Sequence, residues 1–153
     1  MAYKSKYKPK NLQKYSGNAS KIISRSSWER ALMKWCDMQS CVVEWSSEEV
    51  IVPYIDETTP VPYGDPGKLR RYFVDFKIHF DNGQKFLIEV KPAIQCNPPK
   101  KRKKTNKYLL ERITYEKNLC KWKAASKFAK RYGYTFKVWT EKDLKRMGIL
   151  VYG

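Results

Sequence analysis

The sequence predicts an α/β fold, a mixed β-sheet with helices packed on its faces. Two consecutive segments, Arg70–Phe80 and Gln84–Lys91, alternate apolar and polar residues with the period of two that marks half-buried strands. Two others, from Ser26 to about Gln39 and from about Tyr108 to Tyr132, repeat apolar residues at the three-and-four spacing of amphipathic helices. A further strand pattern, Tyr134–Trp139, follows the second of these helices. The resulting order is helix, four strands, helix, strand, helix.

The chain has 153 residues and a mass of 18.2 kDa, enough for one domain with a sizeable core. With 42% hydrophobic and 14% aromatic residues it is too apolar to be disordered. No run of about 18 apolar residues is present, so no membrane-spanning helix is expected, and the N-terminus lacks an apolar signal core. The four cysteines, Cys36, Cys41, Cys96 and Cys120, are widely spaced, and His79 is the single histidine. That set argues for reduced thiols in a cytosolic setting and against a zinc site. The excess of 32 basic over 15 acidic residues, a net charge of +17, implies a polyanionic partner, most often nucleic acid.

Residues 1–20 carry Lys4, Lys6, Lys8, Lys10 and Lys14 among polar residues and tyrosines. They are expected to form a flexible basic arm that lies on DNA, docks a partner or merely keeps the chain soluble, ahead of a domain over residues 21–153. The first helix presents Trp28, Leu32 and Trp35 on its apolar stripe. Glu29 has two readings. As the third residue after Ser26 it completes a capping box; on the side of Leu32 and Cys36 it turns a carboxylate inward.

Cys41–Trp45 and Val50–Ile55 read as strands, with Pro53 marking an edge or a bulge. Residues 56–69, rich in Pro and Gly, form a loop. Beyond the two alternating strands lies the run Lys100-Lys101-Arg102-Lys103-Lys104, a candidate clamp on a phosphate backbone or a solvated charge run that superficially matches a nuclear-import signal. The second helix is expected to bury Tyr115, Leu119, Trp122, Ala125 and Ala129 and to stop at Gly133. Lysines 117, 121, 123, 127 and 130 cover much of its remaining surface. Thr140 then caps a short helix with Glu141 and Asp143 in its first turn.

The turn between the alternating strands fixes which residues meet. A two-residue Asn82-Gly83 loop would set each apolar face against a polar one. A three-residue loop, Asp81-Asn82-Gly83, pairs Phe76 with Ile88 and Ile78 with Phe86. Burial selects the second register, and Gly83 then occupies the position that needs positive φ. Val74, Phe76, Ile78, Phe86, Ile88 and Val90 share one face. On the other face Asp75 stands opposite Glu89, and Phe73 opposite Lys91. Directly opposed carboxylates repel unless a cation intervenes. Two acids and a lysine at adjacent strand positions suit metal-assisted phosphodiester hydrolysis, with Asp75, Glu89 and the Val90 carbonyl as oxygen ligands for Mg2+ or Mn2+. Glu29 would complete or support that shell, and Lys91 would orient water or stabilise charge on the phosphorane. A surface salt-bridge cluster is the competing reading.

Asp75 with Glu89-Val90-Lys91 in a strand–turn–strand setting resembles the PD-(D/E)xK nuclease superfamily, of restriction-endonuclease-like fold, with Val74 in place of the proline. Glu29 matches the first-helix glutamate of many members. Ser27-Trp28-Glu29-Arg30, Val43-Glu44-Trp45, Arg70 to Phe76 and Ile88 to Pro92 resemble TnsA-type transposase endonucleases. With Lys121 to Ala125 and Phe136 to Leu144 added, residues 20–148 are similar to the head completion nucleases of T-even-type bacteriophages. This resemblance implies a Mg2+-dependent endodeoxyribonuclease that leaves 5′-phosphate and 3′-hydroxyl ends. It further implies partners in DNA and in phage head or portal vertex proteins, and a location in the virion head and host cytoplasm, acting after DNA packaging and before tail joining. Two readings compete: a structural head protein that binds DNA or the portal and keeps the fold without cleaving, and a basic DNA-binding factor with no site.

Overall fold

A computed structural model describes residues 4–101 and 105–150. Its centre is a four-stranded mixed sheet built from β3 (Val42–Ser47), β6 (Phe76–Phe80), β7 (Lys85–Val90) and β8 (Thr135–Trp139), in that order. The first two pairings are antiparallel and β7 with β8 is parallel. That parallel step requires a crossover, supplied by α2 (Asn106–Tyr132). Two further elements, β4 (Ile51–Asp56) and β5 (Lys68–Phe73), pair only with each other as an antiparallel ribbon, so Pro53 costs no ladder bond of a central strand. Short strands β1 (Ser5–Lys6) and β2 (Ile23–Ser24) make a third pair.

Both faces of the sheet are covered. On one, α1 (Ser27–Met38) contributes Leu32, Met33 and Cys36 to a cluster with Trp45, Phe76, Ile78 and Ile88. On the other, Ala125 and Ala129 of α2 meet Leu87, Val74, Tyr72, Tyr54 and Val52. Small residues on α2 let the helix lie close to the strands. Burying side chains of this kind contributes about 1.5–3 kcal/mol for each large aliphatic or aromatic group. The ribbon is tied to α2 by a buried charge: Asp56 accepts from Arg70 Nε at 2.7 Å, with Lys117 Nζ at 3.6 Å. Burial alone would raise this carboxyl, but hydrogen bonds from Thr58, Thr59 and Arg70 hold it well below the usual range.

The three-residue turn is present. Phe76 pairs with Ile88 and Ile78 with Phe86, Gly83 has φ 88°, and the N–H of Phe80 reaches the Gln84 carbonyl at 2.9 Å. The strand before it is not continuous, however. Residues 70–80 break at Val74–Asp75: the first part belongs to the ribbon and the second to the main sheet. Val74 therefore packs in the α2 cluster, away from Phe76 and Ile78, and Phe73 pairs with Ile51 instead of facing Lys91. The face carrying Glu89 lies beneath α2, with Leu87 fully buried.

Residues 1–20, expected as a flexible basic arm, are laid along the body over their described part, 4–20. Tyr7 and Tyr15 enter the core around Trp45. Buried Asp37 holds this segment: its carboxylate accepts the Tyr7 hydroxyl and the N–H groups of Lys10 and Asn11, the last two at 2.8 and 3.0 Å. The lysines hid the tyrosine anchors between them. On α2 the buried stripe also differs from expectation. Asn118 is buried and Leu119 is 43% exposed, while Ala125 and Ala129 are inside. Gly133 ends the helix with φ 82°, and Thr140 with Asp143 forms a capping box for α3 (Glu141–Arg146).

Candidate active site

The break in the strand makes the site. Were the ladder continued, residue 74 would oppose residue 90. Instead the Val74 N–H goes to the Val50 carbonyl at 3.0 Å, and the Asp75 carbonyl accepts from Glu48 at 3.2 Å. The Val90 N–H, left without a strand partner, is taken by Asp75 Oδ2 at 2.9 Å. In an antiparallel ladder the N–H and C=O of one residue point to the same neighbour, so the Val90 carbonyl lies along the same edge. The Asp75 carboxylate is thereby held at the edge of β7, near enough to Glu89 to feel its charge. Desolvation first, and the Glu89 carboxylate second, push the Asp75 carboxyl up to about 8 against the pull of the Val90 N–H.

Glu89 is buried, and each of its oxygens has a partner. The Tyr72 hydroxyl donates to Oε1 at 2.8 Å, and the Trp122 indole N–H donates to Oε2. Lys91 Nζ stands 4.0 Å from Oε2. Lys121, half-buried, lies with its ammonium 5.7 Å from the Tyr72 ring centre, and burial lowers its pKa. Trp122, Tyr72 and Lys121 were not legible as site residues. An indole at helical spacing reads as core, and only the depth of Glu89 shows that its N–H has polar work.

Glu29 sits at the start of α1. Ser26 Oγ accepts its backbone N–H at 3.2 Å, and its carboxylate accepts the Arg25 N–H at 3.4 Å. The capping reading is therefore realised, one residue upstream of the usual box. Burial raises its carboxyl, and the Glu48 carboxylate adds to the rise. Glu48 itself has a left-handed backbone, φ 55°, and pairs with Arg25 at 3.0 Å. Among the described residues no three His, Cys, Asp or Glu side chains come close enough together to hold a metal. Glu29 is thus near enough to be felt by Asp75 electrostatically but is not gathered with it and Glu89 into a three-ligand cluster.

Lys100 and Lys101 are exposed on the loop after β7, whereas Arg102, Lys103 and Lys104 lie outside the described residues. Lys100 lines a groove of about 860 Å³ with Ile94, Pro98, Leu110 and Tyr115. The carboxylates are not part of that groove, so the chemistry and the large concavity are separate features. His79 is away from the pair, its Nδ1 3.5 Å from Glu44.

The donor set suits a hard divalent cation. Asp75, Glu89 and the Val90 carbonyl offer only oxygen, Asp75 keeps one carboxylate oxygen outside the Val90 bond, and the like-charge strain between the acids is what a cation relieves. A mixed sheet covered by helices, with opposed acids where its hairpin strand breaks, defines the restriction-endonuclease-like class. Sequence comparison narrows this. The model of the family described as TnsA-like endonuclease N terminal matches residues 39–141, and the chain belongs to that family. It is similar to the head completion nuclease of Enterobacteria phage T4, with 36% identity and 97% of each chain covered.

Proposed function

We propose that this chain is a Mg2+- or Mn2+-dependent DNA endonuclease that acts in phage head completion after DNA packaging. The observation that carries the proposal is the convergence of Asp75 and Glu89 at the broken strand. Family membership and the name of the phage T4 relative support the reaction class and the setting. DNA is the substrate, head or portal vertex proteins are the partners, and the virion head and host cytoplasm are the locations this reading assigns. No helix among the described residues is long and apolar enough to cross a membrane.

Asp75 and Glu89, with the Val90 carbonyl, would hold the cation directly. Glu29 would act one water further out, since Mg2+ keeps several of its waters. The bound cation would lower the pKa of water and neutralise charge on the phosphoryl oxygens. Lys91 projects from the strand position two after Glu89 and is placed to orient the attacking water or to stabilise the crowded phosphorus. The exposed Lys100 and Lys101, with the rest of the basic run, would contact the phosphate backbone and make binding fall steeply with salt.

That no third His, Cys, Asp or Glu side chain joins Asp75 and Glu89 among the described residues favours a second reading, a head-completion protein that binds DNA or the portal and retains the fold without cutting. Supercoiled plasmid incubated with Mg2+ or Mn2+, with and without chelator, separates the two. The nuclease reading expects metal-dependent cleavage that is lost in Glu89→Ala and Lys91→Ala. Cleavage that survives both substitutions removes the assigned site. DNA binding with no cutting under either metal supports the binding protein.

A further inference from the structure

We infer that Trp122 and Tyr72 are positioning residues: they orient the Glu89 carboxylate without neutralising it, and so preset the metal-binding pair. The inference rests on the metal-dependent reading above. A buried carboxylate must find hydrogen-bond donors, and the strongest available are Arg and Lys. Glu89 instead receives one neutral donor on each oxygen, the Tyr72 hydroxyl on Oε1 and the Trp122 indole N–H on Oε2. Among the described residues the nearest cation, the Lys91 ammonium, is 4.0 Å away. Phenol and indole are both uncharged at neutral pH, so they fix the direction of the oxygens without bringing a countercharge to the group.

The donors also leave room for a ligand. Each carboxylate oxygen has two lone-pair directions, and one donor per oxygen leaves one direction free on each. The two donors arrive from different layers. Tyr72 belongs to the ribbon strand β5, and Trp122 to the middle of α2, whose Ala125 and Ala129 seat it against the sheet. The ribbon and the crossover helix therefore meet at one carboxylate. The Lys121 ammonium lies 5.7 Å from the Tyr72 ring centre and interacts with Glu89 electrostatically, without supplying either of the two hydrogen bonds that orient it. Supporting partners of this kind tune metal affinity by roughly 10–100-fold in other metal sites.

The test uses the full chain and Trp122→Phe and Tyr72→Phe variants, each checked for folding by circular dichroism and thermal melting. Mn2+ binding is measured calorimetrically, and plasmid cleavage is measured across Mn2+ concentrations. The inference expects at least a roughly tenfold weaker Mn2+ affinity in each variant, with cleavage recovering toward the wild-type rate at saturating metal. Tyr72→Phe removes only a hydroxyl and keeps the test open if Trp122→Phe reduces the folded fraction. Variants that melt earlier but bind Mn2+ within twofold of wild type would overturn the inference and leave the two residues as core supports. Wild-type protein that binds no Mn2+ would instead overturn the metal-dependent reading, and the inference with it.

Discussion

The Asp75 carboxylate takes the backbone N–H of Val90 at 2.9 Å, in the place a strand carbonyl would otherwise fill. One side chain thus both repairs the ladder where the chain leaves the sheet and stands beside Glu89. Structure and chemistry make opposite demands on it, because the repair needs only an acceptor whereas cation binding needs the charge.

Asp75→Asn and Asp75→Ala separate those demands. Asn retains a carbonyl acceptor for Val90 and removes the repulsion with Glu89, so metal-free stability is expected to stay level or rise. Ala leaves the Val90 N–H without a partner and is expected to cost about 1–3 kcal/mol. Both should abolish cleavage. Urea unfolding in chelator, beside the plasmid assay, reads each effect.

The raised Asp75 carboxyl sets a pH dependence. Its folded pKa of about 8 lies above the unfolded value of about 3.9, so between those limits the folded chain holds a proton that the unfolded chain has released. Metal-free stability from this group is present at low pH and is lost as pH rises from about 4 to 8. Unfolding free energies measured at intervals across that window should fall more steeply for wild type than for Asp75→Asn. Parallel curves would contradict the assignment.

Asp37→Ala should release the N-terminal segment. The substitution deprives the Tyr7 hydroxyl and the Lys10 and Asn11 N–H groups of their acceptor at a buried position. A loss of roughly 3 kcal/mol is expected, with new tryptic cleavage at Lys10 or Lys14. Limited proteolysis that leaves this segment as protected as in wild type would show that Tyr7 and Tyr15 hold it unaided.

Much of this arrangement could be read from residue order. The Asp81-Asn82-Gly83 turn fixed the register of β6 and β7, because the alternative exposed a whole apolar set. Ser26, Gly133 and Thr140 marked helix ends through local chemistry that packing does not override. The break at Val74–Asp75 was illegible for a physical reason. Tyr72, Val74, Phe76 and Ile78 are all buried, so alternation runs unbroken through the point where the chain passes from one core cluster to the other. Periodicity reports burial, not which layer does the burying. For the same reason Trp122 looked like core, and Tyr7 and Tyr15 were masked by neighbouring lysines.

The most direct test of the opposed carboxylates is the shift in melting temperature that Mn2+ produces at pH 8. A cation bound only by the folded pair stabilises it by mass action. Wild type is expected to melt higher as Mn2+ rises, while Asp75→Asn and Glu89→Gln, both folded, show no shift over the same range. Equal shifts in all three proteins, or none in wild type, would contradict a cation site between Asp75 and Glu89.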